Sequence, residues 1–160
     1  MSAREKMVKR RTSFLGLPVN IEIEAGETRS GIGDEGEKWE KTYAVPYGEI
    51  DKTIAPTDGD PVDVYLGAED AAAKVYVVHQ LRKDRSADED KVMLGFPGPA
   101  VARAAYELHG PPWGFGSMDE MTLDQFVHGY LAANRAPALR GPLHNTAAAR
   151  QALGQERYGS

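Results

Sequence analysis

The sequence predicts an α+β domain, with strands first and helices after, on three observations. Apolar residues recur at every second position in several short runs before residue 95. Seventeen glycines and ten prolines among 160 residues demand many turns and short elements. Two segments beyond residue 98 carry helix start signals. No alternation of strand and helix recurs, which counts against a doubly wound parallel sheet.

Taken in order, Val19, Ile21 and Ile23 alternate with Asn20, Glu22 and Glu24, the period of a half-buried first strand. Gly26 to Gly36 has no periodicity and reads as a loop. Trp39, Tyr43 and Val45 mark a weaker second strand before Pro46, and Ile50 to Gly59 is turn-like. Val62, Val64 and Leu66 alternate with Asp63 and Tyr65 in a third strand that Gly67 ends. Val75 to Val78 and Val92 to Leu94 read as buried strands, joined by the polar stretch Arg82 to Asp90. A first helix opens at Pro99, aligns Val101, Ala105 and Leu108, and stops at Gly110 before Pro111. In the second, Thr122 and Gln125 form a capping box and Met121 staples onto Phe126. Its apolar stripe is Leu123, Phe126, Val127, Tyr130 and Leu131. The domain is expected over residues 14–133, after a basic flexible arm at 1–13 and before a loosely packed Ala/Arg/Pro tail at 134–160.

Apolar residues at 41% and charged residues at 27% describe a globular chain. No stretch is apolar enough to cross a bilayer or to serve as a secretory signal. The net charge of -5 disfavours nucleic acid as the main partner. Without cysteine, any metal must sit on oxygen or histidine, and the composition fits a reducing cytoplasm.

The densest chemistry lies in Asp58-Gly59-Asp60-Pro61-Val62-Asp63-Val64. Three carboxylates in six residues repel one another unless a cation sits among them. Oxygen-only ligation favours a hard ion, Mg²⁺ or Mn²⁺. In an extended chain Asp58 and Asp60 face away from Asp63, so all three converge only if the backbone bends near Pro61. The plain alternative is a solvated acidic turn. A calcium EF-loop fails because Asp63 stands where glycine is needed. A haloacid-dehalogenase nucleophile string fails because Ile54-Ala55-Pro56-Thr57 is no apolar strand.

This string resembles the signature of soluble inorganic pyrophosphatases at all seven positions, Asp58 to Val64. Tyr47-Gly48-Glu49-Ile50, the Ile-Glu-Ile run around Glu22, and Glu89-Asp90-Lys91 resemble flanking elements of that family. The chain is more similar still to a shorter pyrophosphatase-like domain of phage and mobile-element proteins, through Gly16-Leu17, Arg29-Ser30-Gly31, Lys91 to Phe96 and Trp113-Gly114-Phe115-Gly116. The resemblance implies a five-stranded barrel of oligonucleotide-binding type with two flanking C-terminal helices. It implies hydrolysis of pyrophosphate, or a related phosphoanhydride, by metal-activated water. Asp58, Asp63, Asp84 and Glu89 would be metal ligands for Mg²⁺, with Mn²⁺ as an alternative, and Glu22 an outer-shell acid. Asp60 would orient or deprotonate the attacking water. Lys91, Tyr47 and Arg29 would hold phosphate.

Three departures stand out. The Tyr-Lys pair that larger family members carry near the C-terminus has no match, the family's early arginine is matched only loosely by Lys38 or Lys41, and Glu49 replaces an aromatic. These motivate the alternatives of a metal- or phosphate-binding module with weak or no turnover, and of a structural phage protein, with oligomerisation or association with a virion as further expectations. The resemblance places the protein in bacterial host cytoplasm or a phage particle. His79, His109, His128 and His144 show no ligand spacing, and Trp113-Gly114-Phe115-Gly116 reads as a packed aromatic turn before a base-stacking platform.

Overall fold

The computed structural model describes residues 8–33, 35–51, 61–69, 72 and 74–133. Nine strands are present among them: β1 (Arg10–Phe14), β2 (Leu17–Ile23), β3 (Thr28–Ile32), β4 (Lys38–Thr42), β5 (Tyr47–Ile50), β6 (Asp63–Leu66), β7 (Lys74–Leu81), β8 (Ala87–Leu94) and β9 (Phe115–Thr122). Helix α1 (Pro99–His109) precedes β9, and α2 (Leu123–Gln125) follows it and runs directly into a π-helix, Phe126–Leu131. The fold is therefore mostly β with two short helical segments towards the C-terminus. No helix of the described residues is long and apolar enough to cross a membrane.

Among the described residues, seven strands form one sheet in the order β1-β2-β5-β6-β8-β7-β9, and β3 and β4 form a separate two-stranded sheet. Every pairing is antiparallel except β6 with β8. The expected five-stranded barrel is corrected on two counts: there are nine strands, and the sheet runs open from β1 to β9.

The additional strands are those whose sequences lack the half-buried signal. β1 is largely exposed and begins nine residues before the first strand read from the sequence, with Phe14, the expected start of the domain, as its last residue. β3, Thr-Arg-Ser-Gly-Ile, falls within the segment read as a loop, because a two-stranded hairpin standing apart from the core needs no apolar face. β9 is an edge strand, and its methionines at 118 and 121 break the two-residue period. β5 contains Gly48, where a Cβ would lie 2.0 Å from the Asn20 carbonyl oxygen, so only glycine lets β5 approach β2 this closely.

Alternation along the central strands sends side chains to two faces. One face carries Val19, Ile21, Ile50, Val64, Val77, Val92 and Leu94, covered by Phe126, Tyr130 and Leu131 of the π-helix. Phe126 and Tyr130 stack at 5.4 Å. The Thr122–Gln125 capping box forms as the sequence indicates, with bonds of 3.0 and 2.9 Å. The other face carries Tyr65, Tyr76, Val78 and Met93, covered by Ala102 and Tyr106 of α1. Here the sequence reading of α1 is corrected. Val101 and Leu108, expected inside, are 49% and 65% exposed, while Ala102, Tyr106 and His109 are buried. That second set is also helically spaced, and it wins because Tyr106 donates to buried Gln80 at 2.6 Å and His109 finds two backbone partners.

Candidate active site

The face under α1 carries a row of polar side chains across four neighbouring strands. Asn20 of β2 lies opposite Glu49 of β5, Glu49 opposite Asp63 of β6, and Asp63 opposite Lys91 of β8. All four are at most 8% exposed. Charges this deep in a sheet are tolerated only when paired, and Lys91 supplies the pairing. Its ammonium donates to Asp63 Oδ2 at 2.8 Å, Glu89 Oε1 at 2.5 Å and the Tyr47 hydroxyl at 2.8 Å. Three bonds use all three N–H groups of an ammonium. Desolvation works against the charge, but Tyr47, Asp63 and Glu89 outweigh it and hold the Lys91 ammonium well above its ordinary value. Lys91 is thus a fixed positive charge, suited to anions and unsuited to acting as a base.

One step along the strands stands an aromatic group. Tyr47 and Tyr65 are register partners with ring centres 4.6 Å apart. Tyr43 packs on both, at 5.8 and 6.5 Å, and His109 packs on Tyr43 and Tyr65 at 5.5 and 4.9 Å. Burial pushes the Tyr47 and Tyr65 phenols up, so both stay neutral donors. Burial likewise lowers His109. Its Nε2 accepts from the Ala44 N–H at 3.0 Å, which leaves Nδ1 as the protonated nitrogen, donating to the Ala105 carbonyl at 2.7 Å.

Of the residues singled out from the sequence, Asp63, Glu89, Lys91 and Tyr47 come together. Glu22 is buried at the same end of β2, and Arg29 of β3 reaches its carbonyl at 3.4 Å. Both are close enough to the Tyr43 hydroxyl to perturb it electrostatically, as are Lys91 and Asp63. Asp84 is not brought to the group. It sits in the β7–β8 turn, where the Ser86 hydroxyl and N–H hold its carboxyl below the ordinary value. Lys91 lies four residues beyond the start of β8, roughly 13 Å further along an extended strand. Asp58 and Asp60 lie outside the described residues. Among the described residues no group of three or more His, Asp or Glu side chains is arranged to hold a metal.

Glu49, Tyr43 and Tyr65 were not among the sequence candidates. Glu49 was visible as a departure from the family pattern, and Tyr65 lies two positions from Asp63, hence on its face. Tyr43 follows the end of β4, and no local signal places it here.

A family model described as inorganic pyrophosphatase matches residues 2–130. The chain belongs to the inorganic pyrophosphatase family. The matched stretch contains the polar row, the tyrosines and the Asp58–Asp63 string. No curated protein and no solved structure matches the chain.

Proposed function

We propose that this member of the inorganic pyrophosphatase family hydrolyses pyrophosphate or a closely related phosphoanhydride with the help of Mg²⁺, Mn²⁺ being an alternative. The observation that carries the reading is the buried Lys91 ammonium, held between Asp63, Glu89 and Tyr47 inside a segment that the family model covers. The donor chemistry fits a hard divalent ion, since every candidate ligand is a carboxylate oxygen. Asp63 and Glu89 would hold it with Asp58, Glu49 stands beside them in register, and Glu22 serves as an acid further out. Asp84 joins only if the β7–β8 turn rearranges. Such an ion, once bound, acidifies water and screens phosphate charge.

The chain's own groups do the rest. Lys91 neutralises a phosphate oxygen, and the neutral Tyr47 phenol donates to one. Arg29 adds a second cation at the edge of the group. Asp60 takes the proton of the attacking water. Phosphoryl transfer asks a protein mainly for such positioning and positive charge. A binding module without turnover is the second reading, favoured by the missing C-terminal Tyr-Lys pair. A phage or prophage setting, in host cytoplasm, belongs to the proposal through resemblance alone.

The test is phosphate release from pyrophosphate with Mg²⁺ or Mn²⁺, wild type against Asp60→Asn. Metal-dependent release that the substitution cuts by about 10²-fold or more supports the hydrolase. Absence of release from folded wild-type protein refutes it and leaves the binding module.

A further inference from the structure

Between the β3–β4 hairpin and the end of α1 lies a cleft of about 750 Å³. Four large apolar side chains are exposed among the described residues, and three of them, Ile32, Trp39 and Leu108, line this cleft. Trp113, just beyond α1, lines it as well, so both tryptophans of the chain border one space. Trp39 lies across its register partner Gly31, where a Cβ would come within 2.6 Å of the indole. The glycine thus leaves room for that ring. The Trp113-Gly114-Phe115-Gly116 segment divides: Phe115 is packed against Tyr106 and Arg103, whereas Trp113 belongs to the cleft. Exposed apolar side chains gathered in one place mark an interaction surface.

The charges around these side chains do not balance. Glu35, Glu37, Glu40 and Asp88 are set against Lys41, Arg82 and Lys83. The cations are already engaged. Lys83 pairs with Glu35 at 3.0 Å while lying 5.5 Å from the centre of the Trp113 ring, and Arg82 stands 3.9 Å from Asp88. Lys41 is turned to the end of α1, where it donates to the His109 carbonyl at 2.7 Å. Glu37 accepts from the Glu35 N–H at 3.0 Å, and neither Glu37 nor Glu40 has a cation against it among the described residues. An occupant must therefore bring apolar groups to the indoles and positive charge to the carboxylates. A second copy presenting the same surface would set like charges against like.

A segment of that chemistry exists in the chain itself. Residues 135–143, Arg-Ala-Pro-Ala-Leu-Arg-Gly-Pro-Leu, carry two arginines, two prolines, two leucines and no acid. They begin two positions after Ala133, the last described residue. The helical segment that ends there runs towards the cleft end of the sheet. Its cap, Thr122, is the register partner of Lys74 at the start of β7, whereas the Tyr130 hydroxyl reaches Asp90, which lies opposite His79 near the end of that strand. From His79 to Arg82 of the lining is three residues, roughly 10 Å of extended chain. Ten residues beyond Ala133 can span up to about 33–36 Å. We infer that residues 135–143 dock in this cleft within the same copy of the chain, prolines and leucines against Trp39 and Trp113, arginines against Glu37 and Glu40. Aromatic-lined grooves take extended proline-containing segments in this way, and the guanidinium fork matches a carboxylate. A short connection gives the segment an effective concentration on the order of millimolar, so contacts too weak to hold a free peptide suffice. Docked there, it covers Ile32, Trp39 and Leu108 and ties the hairpin, which has no strand pairing with the seven-stranded sheet among the described residues, to the rest of the domain.

The test uses the full chain, whose tryptophan emission reports on the cleft because both indoles line it. Acrylamide, a neutral quencher, measures how open they are. Arg135→Glu combined with Arg140→Glu should shift the docking equilibrium by roughly two- to thirty-fold and raise the quenching constant, since two exposed charge pairs are lost. Adding Glu37→Arg and Glu40→Arg to that chain should lower the constant again. The two arginine substitutions leave every described residue as it is, so an unaltered thermal midpoint separates undocking from unfolding. Should the hairpin substitutions fold poorly, concentrated NaCl gives the second reading: it should raise the constant of the wild type, by screening the same pairs, and not that of the Arg135→Glu/Arg140→Glu chain. A constant that neither the arginine substitutions nor salt moves overturns the proposal. A constant that falls as protein concentration rises, with a dimer in sedimentation, also overturns it and assigns the cleft to a second copy.

Discussion

The two faces of the central sheet are built from the same strands and solve opposite problems. Val64 and Val92 point into a dry aliphatic layer beneath the π-helix, whereas Asp63 and Lys91, their immediate neighbours in sequence, point into the polar row. On the first face burial itself supplies the stabilisation, and any side chain of the right shape would serve. On the second each charge is tolerable only because another stands opposite it. A dry face can thus degrade gradually, one methyl group at a time, while a polar row fails as a unit.

The largest expected effect tests that contrast directly. Lys91→Met keeps the length of the side chain but removes the cation that faces buried Asp63, and should cost about 3–5 kcal/mol in urea unfolding. A cost below that of a surface substitution would show that the row is not held by its cation. Leu94→Ala, three residues along the same strand but on the dry face, should cost about 2–5 kcal/mol, scaling with the cavity left behind. Leu94→Met should recover most of that loss, because the dry face asks only for volume. No comparable apolar rescue exists for Lys91.

A smaller effect arises where the dry face borders on charge. His79 Nδ1 is 2.7 Å from Asp90 and its Nε2 2.8 Å from Asp119, and Asp90 also accepts from Tyr130 of the π-helix at 2.7 Å. The bond to Asp90 leads in raising His79 to about 9, against desolvation and with help from Asp119. A folded value above the unfolded one, ordinarily near ~6.5, stabilises fully below that value and is lost as pH rises through about 9. The contribution is about 2 kcal/mol, with Asp119 discounted because it is mostly exposed. Wild type should therefore lose stability between pH ~6.5 and about 9, and His79→Gln should flatten that slope in thermal melts. An unchanged slope would remove His79 from the account. The smallest effect belongs to the helix start: Thr122→Ala should cost about 1 kcal/mol, read from the urea midpoint, by removing half of the capping box.

The dry face is largely legible in the residues themselves. Val19, Ile21, Val64, Val92 and the stripe through Phe126 and Tyr130 announce themselves by period, and Thr122 with Gln125 announces a helix start. α1 is legible in extent but not in orientation, since Val101 with Leu108 and Ala102 with Tyr106 are both helically spaced. Only the partner offered by Gln80 chooses between them. β3 and β9 escape such a reading because edge and hairpin strands satisfy their backbones without burying a face.

For the site, the sequence alone determined which side chains are at hand: carboxylate oxygens without cysteine, a lysine and a tyrosine, and the alternation that sets Asp63 apart from Val64. Only the tertiary structure decided who meets whom. The parallel pairing of β6 with β8 brings Asp63 against Lys91 across 28 residues of chain, and β5 slots Glu49 and Tyr47 beside them. Strand order is a property of the whole sheet, settled by the packing of both faces at once, and no local run of residues encodes it. A cleft lined by both Trp39 and Trp113 exists for the same reason: two indoles 74 positions apart come to line it only after the hairpin and the end of α1 have docked.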